Sequence, residues 1–446
     1  MPEQKQAQFQ KMTETPVEKL LISLAIPTIL TMMVTTIYNV ADSAFVGTLG
    51  TSQSGATGII GGFMAIIQAL GFMCGQGAGS IMSRKLGNQN EEEASRYTST
   101  GVLFSFSLGL LLTIIGFVFT EPLLYLLGST DTILPYAKEY LFYILLATPF
   151  FTSSFTMNNL LRYEGKAKFG MIAMLSGSIL NIIGDAVLMM GFHMGIKGAG
   201  LSTAISQTVS FSLLLFMFLS GRTVTKLSVR YVSAKISTYM EIATTGFPSL
   251  LRQSLNSVAT MMLNNYAGVY GDAAVSAMSI VSRLSFFPMA VAIGIGQGFQ
   301  PISGFNFGAG KKDRVKRAFN KALLGGEAAV FLISIPLFLF AGTFVGFLRN
   351  DAEVIKIGES ALRYMCVGQM FVPLTMMIEL GFQSIGEKLL ASLGSSLRSG
   401  LLFIPSLMIL SNMLGLLGVQ IAQPVSFVLT FGICLYLLKL YFRRIS

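Results

Sequence analysis

Four carboxylates lie inside stretches of the sequence that are otherwise apolar: Asp42, Asp185, Glu327 and Glu379. Placing a carboxylate inside a bilayer costs about 2.5–3.5 kcal/mol, so each of them needs a partner or a function. Two carboxylates that lie close together can share a proton or hold a hard cation, because their charges repel each other where the dielectric constant is low. Which of the four can meet depends on the helices that carry them.

The composition indicates an integral membrane protein rather than a set of soluble domains. Of the 446 residues, 52% are hydrophobic and 12% are charged, and the mean hydropathy is +0.66. A hydrocarbon core about 30 Å thick needs about 20 apolar residues per helix, and the sequence contains twelve such stretches. The predicted all-α spans cover residues 20–48, 54–82, 98–120, 135–161, 168–191, 198–220, 238–268, 273–301, 319–346, 355–384, 390–412 and 416–441.

The sequence offers few residues for disulfide bonds, histidine-based sites or enzymatic catalysis. Cys74, Cys366 and Cys434 all lie in apolar stretches, which favours packing over a disulfide framework. His193 is the only histidine, and no HExxH or Walker motif is present, so we do not expect an enzyme or a resident cofactor. The segment that precedes Leu20 is polar, and the apolar run that follows it is too long for a signal-peptide core.

Positive charge is unevenly distributed along the chain, whose net charge is +10. If the twelve helices alternate in direction, most lysines and arginines fall on one side, and the other side receives Lys138, Lys197, Arg349 and Lys356. The crowded side is predicted to be cytoplasmic, so both termini are expected there. The basic loop 305–321 fits a cytoplasmic loop beside membrane lipid better than a nucleic-acid site.

The chain repeats itself at one constant offset: Pro27 aligns with Pro248, and Gly75-Gln76-Gly77 aligns with Gly296-Gln297-Gly298. Each half holds six helices, an even number, which predicts a parallel repeat of two lobes. Two such lobes favour transport by alternating access over a pore, and the glycines are interpreted as sites of close helix contact. The predicted divisions are a cytoplasmic segment 1–19, an N-terminal lobe 20–221, a cytoplasmic linker 222–237, a C-terminal lobe 238–441 and a cytoplasmic tail 442–446.

Depth along the helices separates the carboxylates into two groups. Asp42 lies near the outer end of the first span, and Asp185 lies about 24 Å along the fifth span from its cytoplasmic end. Thr203 lies about 8 Å into the sixth span from the outer side. Asn181 precedes Asp185 by four residues, and Tyr38 precedes Asp42 by four, so each pair shares a helix face. These five residues can form a cluster in the outer half of the N-terminal lobe.

The C-terminal lobe carries a different set of charges. Glu327 and Glu379 lie toward the cytoplasmic side, where pairing with the lysines and arginines there is favoured. Arg252 and Arg283 lie inside the seventh and eighth spans, where they could anchor helix ends or contact an anionic substrate, and anchoring is favoured. Glu379, Arg252 and Arg283 are therefore possible secondary sites of this lobe.

Together these features resemble the multidrug and toxic compound extrusion (MATE) family, and within it the bacterial group that includes the MepA and DinF proteins. The residues that carry the resemblance are Tyr38-Asn39-Val40-Ala41-Asp42, Gly75-Gln76-Gly77, Leu180-Asn181-Ile182-Ile183-Gly184-Asp185, the stretch 198–207 and Pro248-Ser249-Leu250-Leu251-Arg252-Gln253. The resemblance implies a V-shaped pair of six-helix bundles that exports diverse, often cationic and lipophilic compounds in exchange for Na⁺ or H⁺. It also implies a coupling-ion site at Asp42, Asn181, Asp185 and Thr203, with Tyr38 nearby, and a bend of the first helix at Pro27, whose repeat counterpart is Pro248.

Two alternatives stay open at this point. The coupling ion could be H⁺ or Na⁺, since carboxylate, amide and hydroxyl oxygens suit both. The protein could also be a flippase for lipid-linked or anionic lipid substrates, with Arg252 and Arg283 lining its cavity, although two acidic residues in the opposite lobe argue against this. The 25 Met and 35 Phe suit a surface that repacks around unlike small-molecule ligands. We expect a monomer in the cell membrane with no nucleic-acid partner.

Overall fold

The computed structural model describes residues 2–445, apart from the side chains of residues 2–4 and of Asn39 and Val40. Helices and their connections make up this part of the chain, and it contains no strand. The predicted spans correspond to α1 (Val17–Gly47), α2 (Thr51–Gly87), α3 (Glu91–Val118), α4 (Leu134–Tyr163), α5 (Ala167–Asp185), α6 (Ile196–Leu219), α7 (Ile236–Gly268), α8 (Asp272–Gly308), α9 (Lys312–Leu339), α10 (Ala352–Gln369 and Val372–Ile385), α11 (Lys388–Ser396 and Phe403–Leu414) and α12 (Leu416–Ile445).

The predicted membrane-spanning, all-α fold is confirmed. Over the described part of the chain, ten spans are long and apolar enough to cross a membrane when the π-helical segments of α5 and α11 are included, and the two helices of α10 form an eleventh span bent by 48°. Pro373, in the first turn of the second α10 helix, has no N–H with which to continue the preceding helix. The remaining predicted span, α7, has 33 residues and is about 50 Å long, but it is richer in polar residues.

The helix boundaries reproduce the internal repeat. The offset that aligns Pro27 with Pro248 also aligns the first and last residues of α2 with those of α8, and those of α3 with those of α9. Short helices follow α3 and α9 at matching places, Thr120–Leu126 and Ala341–Leu348. The glycines that precede α2 and α8, Gly50 and Gly271, have φ angles of +134° and +94°, which other residues rarely adopt. The aligned glycines therefore set the same chain break in both halves.

The helices pack into two compact units whose borders lie inside α1 and α7. The N-terminal unit contains Met1–Lys11 and Leu30–Leu250, and the C-terminal unit contains Met12–Ile29 and Leu251–Ser446. The first part of α1 thus packs within the C-terminal unit, and the first part of α7 packs within the N-terminal unit. In each helix the chain passes between the units just after a proline, Pro27 or Pro248.

Glycines allow these exchanged helix segments to approach their neighbours closely. In the N-terminal unit, a Cβ atom on Gly77 of α2 would lie 2.2 Å from the carbonyl oxygen of Ile242 in α7. In the C-terminal unit, a Cβ atom on Gly298 of α8 would lie 2.9 Å from the backbone nitrogen of Ala25 in α1. Gly77 and Gly298 are aligned in the repeat, so the interpretation of the Gly-Gln-Gly glycines as sites of close helix contact is confirmed in both units.

Candidate functional site

Two carboxylates from α1 and α5 meet in the N-terminal unit. Asp42 lies in the last part of α1, and Asp185 is the last residue of α5, directly before a π-helical segment, Ala186–Gly191. The two carboxyl groups interact with each other, and Asp185 is fully buried. Single π-helical segments within α-helices are frequent at functional sites. The structure thus brings together the two carboxylates that helix depth had grouped.

α6 contacts the side chain and the backbone of Asn181. Asn181 Nδ2 donates hydrogen bonds to Thr203 Oγ1 at 3.2 Å and to Ser202 Oγ at 3.3 Å. Ser202 Oγ in turn donates to the Asn181 carbonyl oxygen at 2.9 Å. Gly184 permits this approach, since a Cβ atom there would lie 2.5 Å from Ser202 Oγ. Because α6 takes both N–H donors of the amide, Asn181 Oδ1 is left to accept a hydrogen bond or bind a cation.

Four oxygen atoms of this group lack hydrogen-bond donors. Asp42 Oδ1, Asn181 Oδ1 and both carboxylate oxygens of Asp185 are buried, and no described residue donates a hydrogen bond of ordinary geometry to them. Ser202 interacts with Asp185, but its hydroxyl donates to the Asn181 carbonyl oxygen. An unpaired buried acceptor costs about 1–3 kcal/mol, so such atoms are uncommon in proteins. We call Asp42, Asn181 and Asp185 the acceptor cluster. A proton or a hard cation such as Na⁺ would satisfy it, because both are attracted to oxygen atoms that carry negative charge.

Two tyrosines border the acceptor cluster. Tyr38, one helical turn before Asp42, is 9% exposed and interacts electrostatically with both carboxylates. Tyr140 of α4 is 1% exposed and interacts with Thr203 as well as with the carboxylates. Neither Tyr140 nor Ser202 stands out in the sequence, because neither carries a charge. Tyr140 lies about 9 Å from the start of α4, so the depth argument that found Thr203 would have found it too.

The C-terminal unit contains an ion pair instead of a carboxylate pair. Arg252 Nη1 lies 2.5 Å from Glu379 Oε1, and the two residues are 6% and 2% exposed. From the sequence, Glu379 was expected to pair with cytoplasmic lysines and arginines, and Arg252 was expected to anchor a helix end. In the structure the two residues pair with each other instead. Glu327 is half-buried on α9 and, within residues 2–445, has no ion-pair partner either. Arg283 is exposed on α8 and lies outside the pair.

Pro27 and Pro248 lie inside continuous helices, α1 and α7. A proline in a helix interior removes one backbone hydrogen bond and crowds the preceding turn. Both prolines thus weaken their helix where the chain passes between the two units.

Two segments of the chain, residues 27–187 and 248–409, match the MatE family model and together make up more than two-thirds of its length. The chain belongs to the MatE family. The matched segments of this MatE protein begin at Pro27 and Pro248, so one copy of the family unit corresponds to one half of the internal repeat.

Curated relatives and solved structures match nearly the whole MatE chain. It is 27% identical over 423 residues to "Multidrug export protein MepA" of Staphylococcus saprophyticus and 26% identical over 417 residues to the protein of the same name from Staphylococcus aureus. Each match covers 93% of this chain and 92% of the relative. "Crystal structure of MATE in the bent conformation" is 25% identical with a TM-score of 0.91, and "Outward-facing conformation of a multidrug resistance MATE family transporter of the MOP superfamily" is 24% identical with a TM-score of 0.92. Both cover 98% of this chain and 98% of the matched chain, which confirms the fold.

Proposed function

We propose that this MatE protein is a multidrug efflux antiporter, which exports lipophilic, mostly cationic compounds in exchange for H⁺ or Na⁺ by alternating access. The observation that carries the proposal is the acceptor cluster, whose four buried oxygens have no donor among the described residues. Relatives named as multidrug export proteins support drug export as the activity. The coupling ion would bind in the N-terminal unit.

Exchange follows from the different charge of the acceptor cluster with and without its cation. A bound cation offsets the repulsion between Asp42 and Asp185, so it favours conformations in which the cluster is buried. Without the cation, conformations that admit water to the carboxylates become more favourable. If a cationic drug prefers the cation-free conformation, each ligand promotes release of the other, by as much as its affinities for the two conformations differ.

Both coupling ions fit the chemistry of the cluster. A proton needs only the two carboxylates, which can share it. Sodium needs several oxygen ligands, and Asn181 Oδ1 supplies a neutral one beside the charged pair. Tyr38 and Thr203 add hydroxyl groups at the edge of the cluster.

We place the protein in the plasma membrane as a monomer with both termini in the cytoplasm, because the positive charge falls on that side of the predicted helices. Pro27 and Pro248 are the proposed bending points of α1 and α7, since each removes a helix hydrogen bond where the chain passes between the units. Two solved MATE structures are described as a bent and a straight conformation, which supports the proposal that proteins of this fold change conformation.

A flippase for anionic lipids is less well supported. Glu379 neutralises Arg252, so this arginine is not free to pair with a lipid phosphate. Of the two arginines that this hypothesis uses, only Arg283 has no ion-pair partner among residues 2–445, and it is exposed on α8.

The proposal is tested by replacing each carboxylate of the cluster with its isosteric amide. We expect Asp42→Asn and Asp185→Asn each to reduce ethidium efflux from membrane vesicles to the level of vesicles without the protein, because the amide removes the charge that attracts the cation. Asp313→Asn is the matched control, since Asp313 is an exposed carboxylate in the first turn of α9. Normal efflux by both cluster variants, at wild-type protein levels, would refute the proposed coupling site.

A further inference from the structure

A second cluster of charged residues lies in the C-terminal unit, and it contains more positive than negative charge. It consists of the Arg252–Glu379 ion pair and of Arg398, which is only 8% exposed. Arg398 interacts electrostatically with both Glu379 and Arg252. Two guanidinium groups and one carboxylate leave an excess of one positive charge, and we call these three residues the arginine cluster.

The guanidinium group of Arg398 has no hydrogen-bond partner among residues 2–445. The bond recorded for this residue involves its backbone carbonyl oxygen, which accepts from Ser426 Oγ at 3.4 Å. A guanidinium group offers five N–H donors, and it keeps its charge in proteins. The side chain is mostly buried, and an anion that reaches it would supply acceptors for these donors. Arg398 thus complements the acceptor cluster, because its donors are not taken by other described residues.

The local structure of α11 places Arg398 beside the ion pair. Gly394 packs directly against Glu379, since a Cβ atom on this glycine would lie 3.4 Å from both Cα and Cβ of Glu379. Arg398 follows Gly394 by four residues, so it lies one turn further along the same side of the helix. It also lies in a π-helical segment, Leu397–Leu401, a feature that is frequent at functional sites.

No further acid within the described part of the chain balances this arginine. The groups that act electrostatically on Arg398 are Glu379, Arg252 and the thiol of Cys434, which is buried on α12. A thiol is a weak acceptor and cannot replace an anion. The hydrogen-bonding capacity of Arg398 thus remains available to a ligand.

We propose that the arginine cluster binds a small monoanionic group, with Arg398 as its principal donor and Arg252 as the second positive charge. The group is either a free halide such as chloride or a carboxylate carried by the transported compound. A planar guanidinium can donate two parallel hydrogen bonds to a carboxylate, and it can also hold a halide between its N–H groups. The carboxylate source rests on the proposed export function and would extend it to zwitterionic compounds, whereas the halide source does not depend on it.

Anion binding is measured on the purified full-length protein by thermal unfolding. Sodium chloride or sodium acetate is titrated in a buffer that contains no other small anion, and the same titration of Arg398→Gln accounts for the effects of sodium and ionic strength. A ligand that binds only the folded state stabilises it in a saturable manner. We expect the unfolding midpoint of the wild type to rise by a few degrees and then level off. Arg398→Gln should lose this response.

Three further variants make the result specific. Arg363→Gln is the matched control, because it removes an exposed arginine from the same unit, and it should respond to chloride as the wild type does. Arg398→Lys keeps the charge but not the planar fork, so it should lose more of the acetate response than of the chloride response. Glu379→Gln leaves two unpaired guanidinium groups and should show a larger anion response than the wild type.

The source of the anion is distinguished by a pair of dyes that differ in one group. Rhodamine 6G is an ethyl ester, and rhodamine 19 is the corresponding free acid. If the cluster binds a substrate carboxylate, Arg398→Gln should lower the ratio of rhodamine 19 export to rhodamine 6G export by about tenfold. This factor corresponds to the loss of one charge-assisted hydrogen bond. An unchanged ratio together with a lost chloride response assigns the site to a free halide.

The proposal is overturned if the wild type and Arg398→Gln respond alike to chloride and acetate and also export the two dyes in the same ratio. Failure of the wild type to export either dye would contradict the proposed export function instead. The unfolding measurements would still decide whether the anion site exists.

Discussion

The arginine cluster predicts an unequal cost for removing the two partners of its ion pair. Glu379 is the carboxylate that interacts with both Arg252 and Arg398, so Glu379→Gln leaves two buried guanidinium groups without a counter-charge. Removing one partner of a buried ion pair costs about 3–5 kcal/mol. Arg252→Met should cost less, about 1–3 kcal/mol, because Arg398 is within electrostatic range and has hydrogen-bonding capacity to turn toward the carboxylate.

Stability is best measured here as a rate, because large membrane proteins commonly unfold irreversibly. The loss of monodisperse protein is followed at a fixed temperature in a buffer without chloride or carboxylate anions, so that no such anion replaces the missing carboxylate. If the ion pair is absent from the unfolding transition state, a loss of about 3–5 kcal/mol speeds inactivation by about two to three and a half orders of magnitude. Arg252→Met should accelerate it by no more than about two orders of magnitude.

The matched control is Glu359→Gln, which breaks an exposed helical ion pair to Arg363 of 2.7 Å. Such pairs contribute less than about 1 kcal/mol, so this variant should stay within about fivefold of the wild-type rate. The reasoning is refuted if Arg252→Met is as unstable as Glu379→Gln, or if Glu379→Gln behaves like the exposed control.

Three further predictions follow from the packing and from the acceptor cluster. Gly246→Ala should destabilise the protein by about 1–3 kcal/mol in the same inactivation assay, because its Cβ atom would lie 1.8 Å from the Met73 carbonyl oxygen. The control Gly325→Ala should be neutral or slightly stabilising, because this glycine lies on an exposed helix face and its Cβ atom would have nothing within 4 Å. Pro27→Ala should straighten and stabilise α1 yet lower dye efflux several-fold, and unchanged efflux would exclude the proposed bending point. Asn181→Leu should lower sodium-driven efflux at least about tenfold but proton-driven efflux by less than about twofold, since only sodium needs the amide oxygen, and equal losses would argue against Asn181 as a ligand.

Much of the fold is predictable from the sequence because the two halves of the chain are repeats of each other. The constant offset of the repeat aligned Gly50 with Gly271, and these positions carry the positive φ angles that start α2 and α8 at corresponding places. The exchange of helix segments between the units was not predictable. It depends on which neighbours Gly77 and Gly298 contact, and hydropathy and spacing carry no information about that choice.

The acceptor cluster was accessible to sequence reasoning because Asp42 and Asp185 are charges in apolar helices, and their depth places them together. The same reasoning did not identify Arg398 as a buried charge. The charge rule assigns it to the cytoplasmic side, since it lies in the first third of a span that starts there, and only the close approach of Gly394 to Glu379 shows that it is buried beside an ion pair. Tertiary contacts of this kind leave no periodic pattern in the sequence.

The central claim is that the acceptor cluster carries the ion that is exchanged for the drug. It is tested most directly by imposing an ethidium gradient across proteoliposomes without any ion gradient, while internal pH and ²²Na⁺ are recorded. Wild-type protein should drive either protons or sodium against the direction of ethidium movement, and Asp185→Asn should drive neither. Ethidium movement without counter-movement of either ion in the wild type, or equal ion movement in Asp185→Asn, would contradict the claim.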